Sequence, residues 1–129
     1  MPDHSRWRVP ADVANLIDAE LTTARVSDDP WPSLERVHLL SQPWAWPHTR
    51  VHLAMLHFAL TQRDRRETLG QIIRLAVAGP GSLAGKYPLG NTGRTAMRLT
   101  ETAALPADIG RALGVYTSPT CDRRPPNRQ

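Results

Sequence analysis

The segment LTTARVSDDPWPSLERVHLLS, residues 21–41, decides the fold because its pattern of apolar residues recurs thirty-five residues later. The second copy is LHFALTQRDRRETLGQIIRLA, residues 56–76. Each copy places apolar residues at helical spacing on both sides of a polar break. The matched apolar positions are Leu21 and Leu56, Ala24 and Ala59, Leu34 and Leu69, Val37 and Ile72, and Leu40 and Leu75. Each copy is therefore predicted to be a helical hairpin of near tetratricopeptide length, which is about 34 residues.

Four helices follow from this pattern. Helical spacing predicts a first helix after an N-cap at Asp12, a second over residues 31–41, a third over residues 48–62, and a fourth from the RDRRE segment to about Ala78. The prolines of QPWAWP are expected to form a stiff loop before the third helix. Two repeats are fewer than the three or so that make a solenoid. The sequence thus predicts an all-α fold of two helical hairpins with tetratricopeptide-like packing.

A Gly/Pro-rich loop is predicted after the fourth helix, over residues 79–104. Its PLGNTG segment predicts a tight turn with positive φ at Gly90, Asn91 and Gly93. A short C-terminal helix is predicted within residues 105–114. The loop is expected to lie across the helices, and its expected apolar anchors are Leu83, Tyr87, Leu89, Met97 and Leu99.

The length of 129 residues indicates one domain. We predict an irregular arm over residues 1–11, a single helical domain over residues 12–114 and a disordered Pro/Arg-rich tail over residues 115–129. The tail holds the single cysteine, Cys121, so no internal disulfide is expected. The sequence shows no membrane-length apolar run and no signal-peptide pattern at its start. These features predict a cytoplasmic protein without a membrane partner.

The net charge of +4 raises the question of a nucleic-acid partner. Residues 12–113 hold eleven Lys and Arg against ten Asp and Glu, so the excess of positive charge lies in the two ends of the chain. The best local basic cluster is Arg63, Arg65 and Arg66, and the solvated start of a helix accounts for it. A phosphate-binding face normally needs a basic stripe on the folded part. The sequence therefore argues against nucleic-acid binding.

Four of the five histidines lie between residues 35 and 57. A helix turns by about 100° per residue, which places His48 and His52 together on the apolar face of the third helix. His38 shares the inward face of the second helix. His57 points away from the apolar face and is expected to be exposed. Three histidines are thus predicted to enter the core.

Two carboxylates, Glu20 and Glu35, are predicted beside the same faces. An unpaired buried polar group costs about 1–3 kcal/mol, so the histidines and carboxylates need partners. The i, i+4 histidine pair and the Glu-x-x-His spacing both suit a metal ion, and imidazole with carboxylate suits zinc, iron, copper or nickel. The ion predicted is divalent zinc or iron. The candidate ligands are His38, His48, His52, Glu35 and Glu20.

A structural role is the alternative explanation of the same residues. A hydrogen-bonded cluster of histidine and glutamate could fix how the helices pack, and the hairpins would then form an interaction module for a protein partner. The sequence shows no nucleophile–base pair, so it assigns no reaction. It also leaves open the oligomeric state and whether the protein is an enzyme.

Four segments, LERVHLLSQ, HTRVHLAMLHFAL, RDRRETLGQIIRL and PLGNTG, resemble a family of short bacterial proteins known as domain of unknown function 3703. The resemblance runs from about Glu20 to Ile109. The family pattern maps onto Glu20, Glu35, His38, Gln42, His48, His52, Asp64, Glu67, Gly70, Gln71 and the Gly90–Gly93 turn. The resemblance implies a bacterial, soluble, helical protein without an assigned activity, and it singles out the same three histidines.

Overall fold

Five helices and no strand are found in the part of the chain that the computed structural model describes, which is residues 8–84, 86–99 and 101–114. The all-α prediction is confirmed. The disordered tail, and most of the irregular arm, were predicted for residues that lie outside these ranges. Within them, no helix combines the length and the apolar character needed to cross a membrane. The helices are α1 (Ala11–Val26), α2 (Trp31–Ser41), α3 (Ala45–Thr61), α4 (Arg65–Leu83) and α5 (Ala107–Leu113).

Each of the first four helices packs on its neighbour in the chain, and α5 returns to pack on α2. The core forms because α1, α2, α3 and α5 each turn an apolar stripe inward. On α1 the stripe is Val13, Ile17 and Leu21, spaced by four residues, and all three are buried. The short helix α5 adds Ile109 and Leu113 to the same core cluster. Helices α2 and α3 contribute to this cluster and pack directly on each other.

Helix α4 differs because its buried face is mostly polar. Its buried side chains are Glu67, Gln71, Arg74, Ala78 and Ser82. Two positions that the repeat equates with core residues of α2, Leu69 and Ile72, are exposed instead. The two repeat copies therefore bury different faces. The polar face of α4 lies against α3, the helix with which it packs most extensively.

Two helices extend into segments where prolines were expected to prevent helix formation. Helix α3 begins at Ala45, so Pro47 lies in its first turn, where a backbone N–H needs no partner within the helix. Helix α4 continues through Pro80 to Leu83 instead of ending near Ala78. The last turn of α4 is held by Ser82, whose hydroxyl donates to the backbone carbonyl of Gln42 at 2.6 Å.

The start of α1 also differs from the prediction. Pro10, not Asp12, is the N-cap residue. Asp12 lies in the first turn, where its negative charge interacts favourably with the positive end of the helix dipole. The predicted bounds of α2 are confirmed, and α3 ends one residue before the predicted end.

The turn between α3 and α4 is closed by Asp64, whose carboxylate accepts a hydrogen bond from the backbone N–H of Glu67 at 2.9 Å. Asp64→Ala is expected to lower the free energy of unfolding by about 1 kcal/mol, since the cap is lost. Urea denaturation would measure this change. The control, Asp28→Ala, removes an exposed carboxylate from the loop after α1 and should change stability by less than about 0.5 kcal/mol. Equal losses in the two variants would contradict the capping role.

The segment between α4 and α5 is held by a polar anchor. Asn91 is 2% exposed, whereas the expected anchors Leu83, Leu89 and Leu99 are exposed. The side-chain amide of Asn91 donates to two backbone carbonyls of the same segment at 2.8 Å and accepts from the N–H of Gly93 at 2.9 Å. These hydrogen bonds fold the segment back on itself. The backbone carbonyl of Asn91 then contacts His38 of α2.

Two of the three positive-φ predictions in this turn are confirmed. Gly90 has φ of 78° and Gly93 has φ of 83°. Asn91 does not have positive φ, since Arg63 is the one non-glycine with positive φ in the described ranges. Asn91 contributes its side-chain hydrogen bonds to the turn instead of an unusual backbone conformation.

Candidate metal centre

Three buried imidazoles converge between α2 and α3. Helix α2 supplies His38, and α3 supplies His48 and His52 one turn apart. Their Nε2 atoms form a triangle: His48 to His38 is 2.9 Å, His38 to His52 is 3.1 Å, and His52 to His48 is 3.2 Å. All three rings are at most 4% exposed. The structure thus brings together three of the five residues that the sequence proposed as ligands.

The hydrogen bond of Nδ1, the ring nitrogen outside the cluster, determines which nitrogen of His38 carries the proton. Nδ1 of His38 lies 2.7 Å from the backbone carbonyl oxygen of Asn91. A carbonyl can only accept, so Nδ1 carries the proton. The neutral ring then presents an unprotonated Nε2 toward the other two histidines.

His48 is protonated on Nδ1 for a similar reason. Its Nδ1 lies 2.8 Å from the hydroxyl of Ser82, and that hydroxyl donates its own proton to the carbonyl of Gln42. The hydroxyl therefore accepts from His48. The backbone carbonyl of Ala78 is a second acceptor for this ring. Nε2 of His48 is left with a free lone pair.

His52 follows the same pattern through Gln71 of α4. Nδ1 of His52 lies 2.7 Å from Oε1 of Gln71. The amide nitrogen of Gln71 donates to Oε1 of Glu67 and to the carbonyl of Gly93, both at 2.8 Å. These two acceptors fix the orientation of the amide. Gln71 therefore accepts from His52, and Nε2 of His52 is unprotonated.

Three lone pairs are consequently directed at one another across about 3 Å, with no donor among them. An added proton would relieve this repulsion, but the surroundings oppose it. Burial lowers the pKa of His48 to about 3 and that of His52 to about 4. Burial also holds the pKa of His38 well below its usual range, and the positive charge of Arg74, or a proton on His48 or His52, lowers it further.

The triangle has the dimensions of one face of a metal coordination shell. Two nitrogens that lie about 2.0–2.1 Å from a tetrahedral zinc ion are about 3.3 Å apart. The observed separations of 2.9–3.2 Å are close to this value. Metal-binding histidines usually donate their second ring N–H to a protein acceptor, as all three rings do. The arrangement can therefore bind a divalent metal through three neutral imidazoles.

The two candidate carboxylates make other contacts. Oε1 of Glu20 accepts from Nε of Arg36 at 2.8 Å, and Oε1 of Glu35 accepts from Nη1 of Arg94 at 3.3 Å. Neither carboxylate belongs to the three-histidine group. His57 is exposed on the opposite side of α3, as predicted.

Several residues that support the cluster were missed as site residues. Glu67 and Gln71 lie one turn apart on α4, and Ser82 lies further along the same helix. Gly93 lies so close to His38 that a Cβ atom there would be 2.7 Å from Cδ2 of the ring. The polar stripe along α4 was the available signal, because a buried polar face on a helix implies polar partners.

A cavity of about 200 Å³ reaches the three histidines. Gln42, Arg74 and Asn91 also line it, together with Val77, Tyr87, Pro88 and Leu99. The triad is thus buried from bulk solvent but borders a space large enough for a small molecule.

The chain matches a known protein-family model. A family model described as "Protein of unknown function (DUF3703)" matches residues 11–113, a range that includes all three histidines and the residues that orient them. The comparisons with curated proteins and with solved structures gave no match.

Proposed function

The chain belongs to the DUF3703 family of proteins of unknown function, and we propose that it binds one divalent transition-metal ion through Nε2 of His38, His48 and His52. The observation that carries this proposal is the set of Nδ1 hydrogen bonds. Because each Nδ1 donates to an acceptor, the three Nε2 lone pairs that face one another have no proton to share. A cation bound between the three Nε2 atoms would replace the repulsion of their lone pairs with three coordinate bonds.

Zinc fits this donor set better than iron does. Imidazole suits zinc, copper and nickel, whereas non-haem iron sites usually add a carboxylate ligand. The two carboxylates proposed as ligands, Glu20 and Glu35, are paired with arginines. Three protein ligands leave a fourth position for water or another small ligand, which is the pattern of catalytic zinc sites. When bound, such an ion acts as a Lewis acid toward the ligand in that position.

Metal content tests the proposal. Tag-free protein supplied with zinc is expected to contain one zinc ion per chain by elemental mass spectrometry. Replacing His38, His48 and His52 together with alanine should abolish binding. His57→Ala is the matched control and should bind fully, since His57 is exposed on α3. Circular dichroism would verify that each variant is helical.

Wild-type protein that stays metal-free after supply with zinc, copper, nickel and anaerobic ferrous iron would contradict the proposal. An equal zinc content in the triple variant and the wild type would also contradict it.

A protein-interaction module is the second candidate function. Three apolar side chains on the outer side of α4 are more than half exposed: Leu69, Ile72 and Ile73. In this alternative the hairpins pack in a tetratricopeptide-like manner, and the histidine cluster only fixes the packing of α2 against α3 and α4. A folded wild-type protein that binds no metal would favour this function.

A further inference from the structure

A buried guanidinium shares the cavity with the three histidines. Arg74 is 6% exposed, and its Nη2 donates to the backbone carbonyl of Met97. Among the described residues, no carboxylate lies within ion-pair distance of Arg74. The charge of Glu67 favours the protonated guanidinium only from a longer distance. A guanidinium has five N–H donors in a planar fork. Arg74 therefore brings an uncompensated positive charge and further donors to the cavity.

Gln42, which also lines this cavity, has a buried acceptor without a hydrogen-bond partner among the described residues. Gln42 is 0% exposed, and its amide nitrogen donates to the carbonyl of Pro88 at 2.8 Å. This bond fixes the orientation of the amide. Its Oε1 is buried and has no hydrogen-bond partner among the described residues. A buried acceptor without a hydrogen bond is unfavourable, so a ligand that donates a hydrogen bond to Gln42 would stabilise the site.

The walls and the size of the cavity restrict the ligand further. Its volume of about 200 Å³ suits a molecule of a few non-hydrogen atoms. Val77, Tyr87 and Leu99 give it partly apolar walls. Lys86, which is exposed, adds a second positive charge to the lining. This environment favours a small organic anion over an inorganic one, since apolar walls are suited to carbon atoms.

We propose that the cavity binds a small 2-hydroxycarboxylic acid, whose carboxylate interacts with Arg74 and whose hydroxyl donates to Oε1 of Gln42. Arginine binds planar carboxylates in a bidentate manner. The inference rests on the metal centre proposed above, because the ion adds positive charge and offers its fourth coordination position to the ligand.

Visible spectroscopy of cobalt-substituted protein tests this inference with three probes of similar size. Glycolate has both the carboxylate and the hydroxyl, acetate lacks the hydroxyl, and glycolamide lacks the charge. Glycolate is expected to change the cobalt spectrum saturably. Acetate should bind about tenfold more weakly, and glycolamide about 10- to 100-fold more weakly, as expected for loss of a neutral and of a charge-assisted hydrogen bond.

Variants of two arginines on α4 test whether Arg74 supplies the positive charge that binds the carboxylate. Arg74→Met should weaken glycolate binding about 10- to 100-fold without removing cobalt. Arg65→Met, in the exposed first turn of the same helix, should leave glycolate binding unchanged. Cobalt stoichiometry and circular dichroism accompany each titration. If Arg74→Met does not fold, the comparison of the three probes on wild-type protein still decides.

Three results would overturn the inference while the metal centre stands: equal affinity for glycolate and glycolamide, wild-type affinity in cobalt-loaded Arg74→Met, or tighter binding of phosphate or hydrogencarbonate than of glycolate. Absence of stoichiometric cobalt from wild-type protein would overturn the proposed function and this inference with it. The stoichiometry therefore distinguishes the two failures.

Discussion

The metal-free protein is expected to lose stability steeply as the pH falls below about 6.5. His48 and His52 are held neutral when folded, with pKa values lowered to about 3 and about 4, and the pKa of His38 is also well below 6.5. In the unfolded chain these rings take up protons near pH 6.5, so acid favours the unfolded state. The loss of stability caused by the three histidines is absent above pH 6.5 and grows as the pH falls toward 4.

The expected slope is large. Each proton taken up only on unfolding changes the free energy of unfolding by about 1.4 kcal/mol per pH unit, so three histidines give up to about 4 kcal/mol per pH unit. The positive charge of Arg74 reinforces the effect on His38 and His52, whereas Glu67 is already paired with Arg94. Urea denaturation between pH 7 and pH 5 would measure the slope.

Two comparisons isolate the origin of this slope. His57→Ala should retain it, and the variant with alanine at all three buried histidines should lose most of it. Zinc should still stabilise the folded protein at pH 5, because its site does not compete with protons until the pH approaches 4. The same slope in the triple variant would contradict the assignment to the cluster.

Gly93→Ala is expected to destabilise the protein by about 2–4 kcal/mol and to lower its affinity for zinc. The backbone of Gly93 has φ of 83°, which L-residues rarely adopt. The added Cβ would lie 2.7 Å from Cδ2 and 2.9 Å from Nε2 of His38. Backbone strain and overpacking therefore act together, and the ring must move out of the triangle. Urea denaturation and zinc content measure the two effects.

Gly110→Ala is the matched control. Gly110 lies within α5, and the nearest atom to its added Cβ would be 4.0 Å away. The stability of this variant should stay unchanged or rise by up to about 1 kcal/mol, since alanine is the better helix former. A Gly93→Ala variant that is as stable as Gly110→Ala would contradict the close packing of Gly93 against the His38 ring.

The inward direction of the histidines could be predicted from the sequence, but their convergence could not. Helical spacing is a local property, and it placed His38, His48 and His52 on apolar faces. The meeting of the three Nε2 atoms depends on how α2 crosses α3, which no local pattern encodes.

The polar face of α4 was missed because pattern analysis places apolar residues inside. Leu69 and Ile72 satisfied that expectation at matched repeat positions, yet they are exposed. Gln71 is buried instead, since His52 needs an acceptor for its Nδ1 proton. The requirement comes from another helix, so it is visible only in the folded chain.

The carboxylates Glu20 and Glu35 illustrate the same limit. Periodicity placed them beside the core, and the structure pairs them with Arg36 and Arg94. Arg94 lies fifty-nine residues after Glu35 in the chain. Pairing over such a separation follows from the exact path of the segment between α4 and α5, which local patterns do not predict.

X-ray absorption at the zinc K-edge of zinc-loaded protein tests the central claim most directly. The three converging Nε2 atoms predict three imidazole nitrogens at about 2.0–2.1 Å and one further light atom in the first shell. A first shell without imidazole scattering, or one that contains sulfur from Cys121, would contradict a centre built from His38, His48 and His52.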